Sequence, residues 1–305
     1  ISVGSENISV TISGLSENMT KAMALVEEIV NDVQPNEDVL KLMTGRILKS
    51  RENAKYNQQR VFSALSNYGV YGEDSPTKDI LSEEQLKAYT CSQLCDAMHN
   101  LFNYKHRILY YGPESVDNLK NIVESTHTMP AKFAKSPKNK KITPKAVTEN
   151  VVYFGDYNAN QTYLREHFRG EKFNTKIIPQ LNIFNEYFGG SMNAIVFQEM
   201  REKRSLAYSA QSYYGTPGSK DGYFTNAAII ATQNDKMADA IDAFDEIIND
   251  MPESEAAFNV AKSSLISRLR TERKHRRQQR DDMKIFMKLH SFSPLEGTIL
   301  LKKRV

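Results

Sequence analysis

The 305-residue chain contains two cysteines, Cys91 and Cys95, and no tryptophan. Two thiols exclude a disulfide scaffold and a four-cysteine zinc module. No apolar run approaches the roughly 18 residues needed to span a bilayer, so no transmembrane helix is predicted and no membrane partner is expected. The net charge of +3 is too small to imply nucleic-acid binding. No G-x-G-x-x-G, Walker loop or G-x-S-x-G occurs, which removes the usual support for nucleotide and α/β-hydrolase sites. The chain opens at Ile1 with no initiator Met and no signal-peptide pattern. It is therefore expected to be a fragment of something longer, and its compartment is unknown from this N-terminus.

The six histidines also lack a useful spacing. They are His99, His106, His127, His167, His275 and His290. Helical zinc sites place two imidazoles on one face at i and i+4, and no pair here has that separation. H-E-x-x-H and H-x-x-E-H are both absent. The nearest approach is Tyr163-Leu164-Arg165-Glu166-His167. It has tyrosine, a poor zinc ligand, where the first histidine would stand. It also reads as a strand, in which i and i+4 lie about 13 Å apart. Cys91 and Cys95 fall at i and i+4 on a predicted helix, but no third ligand is in view, and small buried side chains are the simpler role. No metal is expected in this chain.

What is present suits two ordinary domains. Hydrophobic residues make up 40% and charged residues 25%, and the length fits about two units of roughly 150 residues. Ile8, Val10 and Ile12 alternate with polar residues as in a half-buried strand, paired through a turn with Ile1 and Val3. Ser16 is a candidate N-cap for a helix reaching toward Pro35. A second helical stretch runs from about 37 to 68, with Gly45 as a weak point. Ser82 and Gln85 have capping-box spacing. Residues 108–111 read as a strand and 116–123 as a short helix.

Pro130, Pro137 and Pro144 then punctuate Lys132, Lys135, Lys138, Lys140, Lys141 and Lys145, with no acid from 131 to 148. This marks a Lys/Pro-rich linker, 128–149, between a first domain, 1–127, and a second, 150–275. The linker is expected to be mobile. The second domain is read as strands at 150–157 and 160–168, helices at 175–188 and 192–203, strands at 206–215 and 222–232, and helices at 234–250 and 254–273. Gly189-Gly190 is placed at a helix C-terminus, where glycine can adopt a left-handed cap. The fold class is α+β: two related domains of antiparallel sheet packed with helices. Residues 276–305 form an atypical tail without clear periodicity.

The most informative segment runs from Asn182 to Tyr208 and contains Gly189-Gly190, Phe197 to Arg201, and Leu206-Ala207-Tyr208. It closely resembles the C-terminal-half signature of the pitrilysin/insulinase-type zinc metallopeptidases. Thr232 to Lys236, Met251 to Ser254, and Ala261-Lys262 continue the match. The resemblance covers roughly residues 1–273 and is strongest from 150 onward. It implies one half of a clamshell made of two halves, with zinc, its H-x-x-E-H motif and the general base in the other, N-terminal half. By this resemblance Arg201 and Tyr208 match the family's arginine–tyrosine pair in type and separation, and are the substrate-binding residues. No catalytic residue and no metal ligand is assigned to this chain alone. By this resemblance the strands expected of the first domain are missing before Ile1, and the region after Arg273 does not resemble the family's closing helices and strands.

The implied partners are an N-terminal catalytic half, on the same polypeptide or separate, and a peptide substrate. The implied cofactor is zinc, held by that other half. By itself the chain is expected to bind no zinc and to cleave no peptide. Without the resemblance, Arg201 reads as a cation at a helix C-terminus and Tyr208 as a sheet residue. The alternative function is a non-catalytic scaffold or partner subunit of the same family. Binding of polyanions by the basic tracts has little support, because neither is interleaved with aromatics.

Overall fold

The computed structural model describes residues 1–271 except 5, 6, 139, 141 and 219. The tail expected at 276–305 lies outside the described residues. The chain divides into two compact units, Ile1–Lys145 and a second beginning at Ala146. The fold is α+β, with antiparallel sheets and packed helices in both units. No helix is long and apolar enough to cross a membrane among the described residues.

In the first unit, β1 (Ser2–Val3) pairs antiparallel with β2 (Ile8–Ser9). Then come α1 (Met19–Asn31), α2 (Glu37–Ala54), α3 (Gln58–Tyr71), α4 (Glu83–Ala88), α5 (Cys91–His99) and α6 (Val116–Thr126). Side-chain caps set the helix starts. Asn36 accepts from the Val39 N–H at the start of α2, and Asn57 from Arg60 at the start of α3. Ser82 and Gln85 form the expected capping box, and Thr90 with Gln93 a second one. The expected break at Gly45 does not occur. The helix runs through it and stops at Lys55-Tyr56-Asn57, where the Asn57 cap starts a new helix and outweighs glycine's modest helix cost. Ser16 is not a cap either: its hydroxyl donates to Glu114 at 2.6 Å.

Three expected strands are shorter or absent. β2 spans two residues, and 108–111 and 150–157 lie in no strand. A run of β-prone residues becomes a strand only where a neighbour supplies ladder partners. The Lys/Pro-rich stretch touches the first unit at several points. Ala134 bridges Tyr104, the Lys145 N–H donates to the Val70 carbonyl at 2.8 Å, and Lys140 lies 3.5 Å from Asp74.

The second unit carries β3 (Gln161–Lys172), α7 (Ile178–Phe188), α8 (Ile195–Phe197) running into a π-helix (Gln198–Lys203), β4 (Ser209–Gly215), β5 (Tyr223–Gln233), α9 (Met237–Asn249) and α10 (Glu255–Thr271). The sheet order is β3-β5-β4, all antiparallel. Leu164, Ile230 and Ala210 are cross-strand neighbours in register and share the face packed against the helices. Phe188, Val196, Met200, Phe244 and Ile247 fill the space beneath. Each such large side chain contributes about 1.5–3 kcal/mol on burial.

Two features lock α7 to β4. The Asn185 amide donates to the Tyr214 carbonyl at 3.0 Å and accepts from its N–H at 2.6 Å, taking the place of a neighbouring strand at that edge. At the end of α7, Gly189 has φ −148° and is not left-handed, contrary to the cap expected there. Its role is close approach. A Cβ on Gly189 would lie 2.1 Å from the Ser212 carbonyl oxygen and 2.6 Å from its nitrogen. Gly189→Ala is therefore expected to destabilise the protein by about 1–3 kcal/mol, measured by urea unfolding. An unchanged midpoint would show that the helix end can retreat from the strand.

Candidate functional site

The site grows from one buried methionine. Met200 is fully buried, while the next residue, Arg201, points outward with its side chain 41% exposed. The π-helical turn supplies the local widening. Such turns are rare, and many occur at functional sites. The Met200 carbonyl accepts from the N–H groups of Leu206 at 2.9 Å and Ala207 at 3.4 Å, and the Arg201 carbonyl accepts from Ser205 at 3.1 Å. Ser205 takes φ +51°, the one described non-glycine residue with positive φ. That left-handed step turns the chain from the π-helix, which ends at Lys203, toward the strand that begins at Ser209.

Neighbouring elements clamp this turn. Thr232 on β5, itself buried, donates its hydroxyl to the Leu206 carbonyl. The Lys236 ammonium donates to the Ser205 carbonyl at 3.2 Å. Arg204 donates to Glu246 on α9 at 2.7 Å, and that bond lowers the Glu246 carboxyl and raises the Arg204 guanidinium from their ordinary values. Glu199 and Lys203 pair one helical turn apart.

The clamped turn brings Arg201 and Tyr208 together. The Arg201 guanidinium carbon lies 5.1 Å from the centre of the Tyr208 ring and 5.0 Å from that of Phe197. These are cation–π distances. Its Nε is 3.6 Å from a Glu202 carboxylate oxygen. Tyr208 is 74% exposed, so it does not pack in the sheet as the plain reading of a strand residue would have it. Sequence reasoning found this pair but missed Phe197, Thr232 and Ser205. Phe197 stands four residues before Arg201, on the same helical face. Thr232 and Lys236 sit in a segment already singled out by resemblance, but their bonds to the turn depend on tertiary placement.

The Tyr163–His167 segment lies on β3. Strand geometry alternates its side chains, so Glu166 faces the helices with Leu164, while Arg165 and His167 face the other side. Burial, and then the negative charge of Asp245, push the Glu166 carboxyl up. Burial, and then Arg165, push the His167 imidazole down. Arg165 Nε and His167 Nδ1 are buried without a hydrogen-bond partner. Among the described residues no group of three or more His, Cys, Asp or Glu is placed to hold a metal ion. The donor set of a zinc site is thus not assembled there, and the nearest sequence approach to one is spread over two faces of a strand.

Comparison with known proteins identifies the family. The family model described as the peptidase M16 inactive domain matches residues 106–265. The chain belongs to the peptidase M16 family, through that inactive domain. An uncharacterised zinc protease of Rickettsia felis is 27% identical over 226 residues, covering 73% of this chain and 53% of that protein. The chain thus spans about half the length of that relative. The crystal structure of a peptidase M16 inactive domain from Pseudomonas fluorescens superposes with TM-score 0.58 at 19% identity, covering 82% of this chain and 61% of the other. The periplasmic protease PqqL of Escherichia coli superposes with TM-score 0.68 at 16% identity, covering 95% of this chain and 32% of that one. The expected likeness to the C-terminal half of pitrilysin/insulinase-type peptidases, and the clamshell-half fold, are borne out.

The raised Glu166 carboxyl gives this M16 domain a testable pH signature. A carboxyl whose native value exceeds its unfolded value contributes stability below the unfolded value and loses it as pH rises through the native value. Glu166→Gln is therefore expected to match the parent near pH 4 and to melt at a higher temperature near pH 7.5. Thermal unfolding of both proteins at the two pH values checks this. A variant no more stable than the parent near pH 7.5 would contradict the account of a half-buried, desolvated carboxylate.

Proposed function

We propose that this chain is the substrate-binding, non-metal half of a zinc metallopeptidase of the M16 family. It hydrolyses peptides only when combined with an N-terminal half that carries H-x-x-E-H and the zinc. The observation that carries the reading is Arg201 and Tyr208, side by side and open to solvent on a turn fixed by buried groups. A scaffold has no use for an exposed pair held so firmly.

The chemistry fits the residue types. Peptide hydrolysis builds negative charge on the scissile carbonyl oxygen, and a phenol O–H aimed there stabilises it. A guanidinium offers a planar fork of donors to substrate carbonyls, and the Phe197 ring lies 5.0 Å from its carbon. The zinc and the attacking water belong to the other half, so this chain's share is to hold and orient the peptide.

Supplied with such a half, Tyr208→Phe is expected to lower kcat by about 10²-fold, with a smaller change in KM. Because Tyr208 is exposed, the melting temperature stays near that of the parent. Arg201→Lys keeps the charge, loses the fork, and is expected to weaken both binding and turnover. Steady-state kinetics beside thermal melts decides. Parent-like turnover in Tyr208→Phe would favour the scaffold reading.

A further inference from the structure

We propose that the side of the β3-β5-β4 sheet away from its helices is a trough for an extended peptide, in which Arg165 selects a carboxylate. The proposal rests on the reading of this chain as a peptide-binding half and adds the class of peptide it takes. Leu164 packs on the core, and Glu166 feels the charge of Asp245 on α9, so both face the helices. Strand alternation puts Arg165 and His167 on the other side, with their register partners. One cross-strand row is Arg165, Ile229 and Gln211, and the next is His167, Ala227 and Tyr213.

These rows form a trough because side-chain length changes across the strands. The middle strand, β5, presents the short apolar side chains of Ala227, Ile229 and, one row on, Ala231. The flanking strands present longer polar ones, and Tyr213 among them is 37% exposed. The two flanking strands lie about 10 Å apart, twice the spacing of neighbouring strands, which is room for one extended chain along β5. Arg169, with its guanidinium carbon 3.6 Å from the centre of the Tyr223 ring, marks the far end.

The charge in the trough is unanswered. Among the described residues no hydrogen bond or ion pair reaches the Arg165 side chain, and its Nε is buried without an acceptor. No acid stands in the two rows. Burial, and then the Arg165 charge, push the His167 imidazole down, so at neutral pH the charge of these rows is that of Arg165. A half-buried guanidinium without a carboxylate has lost hydration and gained no partner. A ligand carboxylate supplies the partner, because its two oxygens match the planar fork. The apolar floor and the single cation suit a peptide and not a polyanion, which needs several cations.

The trough also lies within reach of the exposed pair. Tyr208 stands one residue before β4, and the row of Arg165 is that of Gln211, on the far strand of the sheet. Three residues along and two strands across amount to roughly 14 Å, which an extended peptide covers in about four residues. The selected carboxylate therefore belongs about four residues from the peptide bond held at Tyr208.

Binding to the 305-residue chain is followed on the ring signal of His167 at about pH 7.5. The probes are three peptides of about ten residues, otherwise uncharged, the length that covers the trough and the pair together. One has a central glutamate and blocked ends, the second has glutamine in its place, and the third is the glutamine peptide with a free C-terminal carboxylate. The glutamate peptide, the free-carboxylate peptide, or both are expected to bind about tenfold tighter than the blocked glutamine peptide. Which of them does so names the source of the carboxylate. Arg165→Met keeps an apolar stem of similar bulk and is expected to erase the difference. Equal affinity for all three peptides, or binding of none, overturns the proposal in the parent chain alone, and so does a preference that survives Arg165→Met. A His167 signal that moves with protein concentration and not with peptide gives the trough to a second copy and overturns it too. In the joined enzyme, cleavage without any preference for a carboxylate sinks this proposal and leaves the Arg201–Tyr208 reading standing. Carboxylate-dependent binding by a chain whose joined form cleaves nothing does the reverse.

Discussion

The site of this domain rests on the burial of Met200 and on what its carbonyl must then do. A fully buried apolar side chain fixes the helix against the sheet. The adjoining carbonyl finds its donors in Leu206 and Ala207, which forces the chain to reverse within a few residues. A backbone carbonyl left unpaired at such a place would cost roughly 1–3 kcal/mol. The left-handed Ser205 and the clamps from Thr232, Lys236 and Arg204 follow from that reversal. Arg201 and Tyr208 flank the turn, and their proximity follows from the packing beneath them.

The same economy of close approach recurs in the second unit. Gly189 lets a helix end touch the backbone of β4, and Asn185 satisfies the groups that an edge strand would leave open. The three-stranded sheet is small for its helices. Its cross-strand register places Leu164, Ile230 and Ala210 on the core face and keeps the order β3-β5-β4 well defined. A one-residue slip would turn that row outward, so the register is strongly specified. The placement of the exposed pair thus rests on one small, well-packed core.

Much of this was legible in the residues. Helices from α7 to α10 and strands β3 to β5 announce themselves by period and by glycine or proline punctuation, and the Ser82–Gln85 box stands as spacing implies. Strands at 108–111 and 150–157 did not form, because a strand needs a neighbour that local sequence does not contain. Gly189 was found for the wrong reason: sequence shows that glycine is required, not whether dihedral freedom or space requires it. The pair Arg201 and Tyr208 was visible through family likeness. The clamp from Thr232 was not, since it joins residues 26 apart in sequence; the contact with Phe197, four residues before Arg201 on one helical face, was legible by spacing alone.

The central claim is that a bound peptide lies against Tyr208 when this chain is joined to a catalytic half. Register places Tyr223 at the opposite end of the sheet, about 27 Å away along β5, and it too is exposed. A photoreactive side chain placed at 208, or at 223 as control, reports directly on what each position touches. The account predicts that illumination of the joined enzyme links peptide to position 208 and leaves position 223 unlinked. Equal capture at both positions, or none at 208, would contradict it.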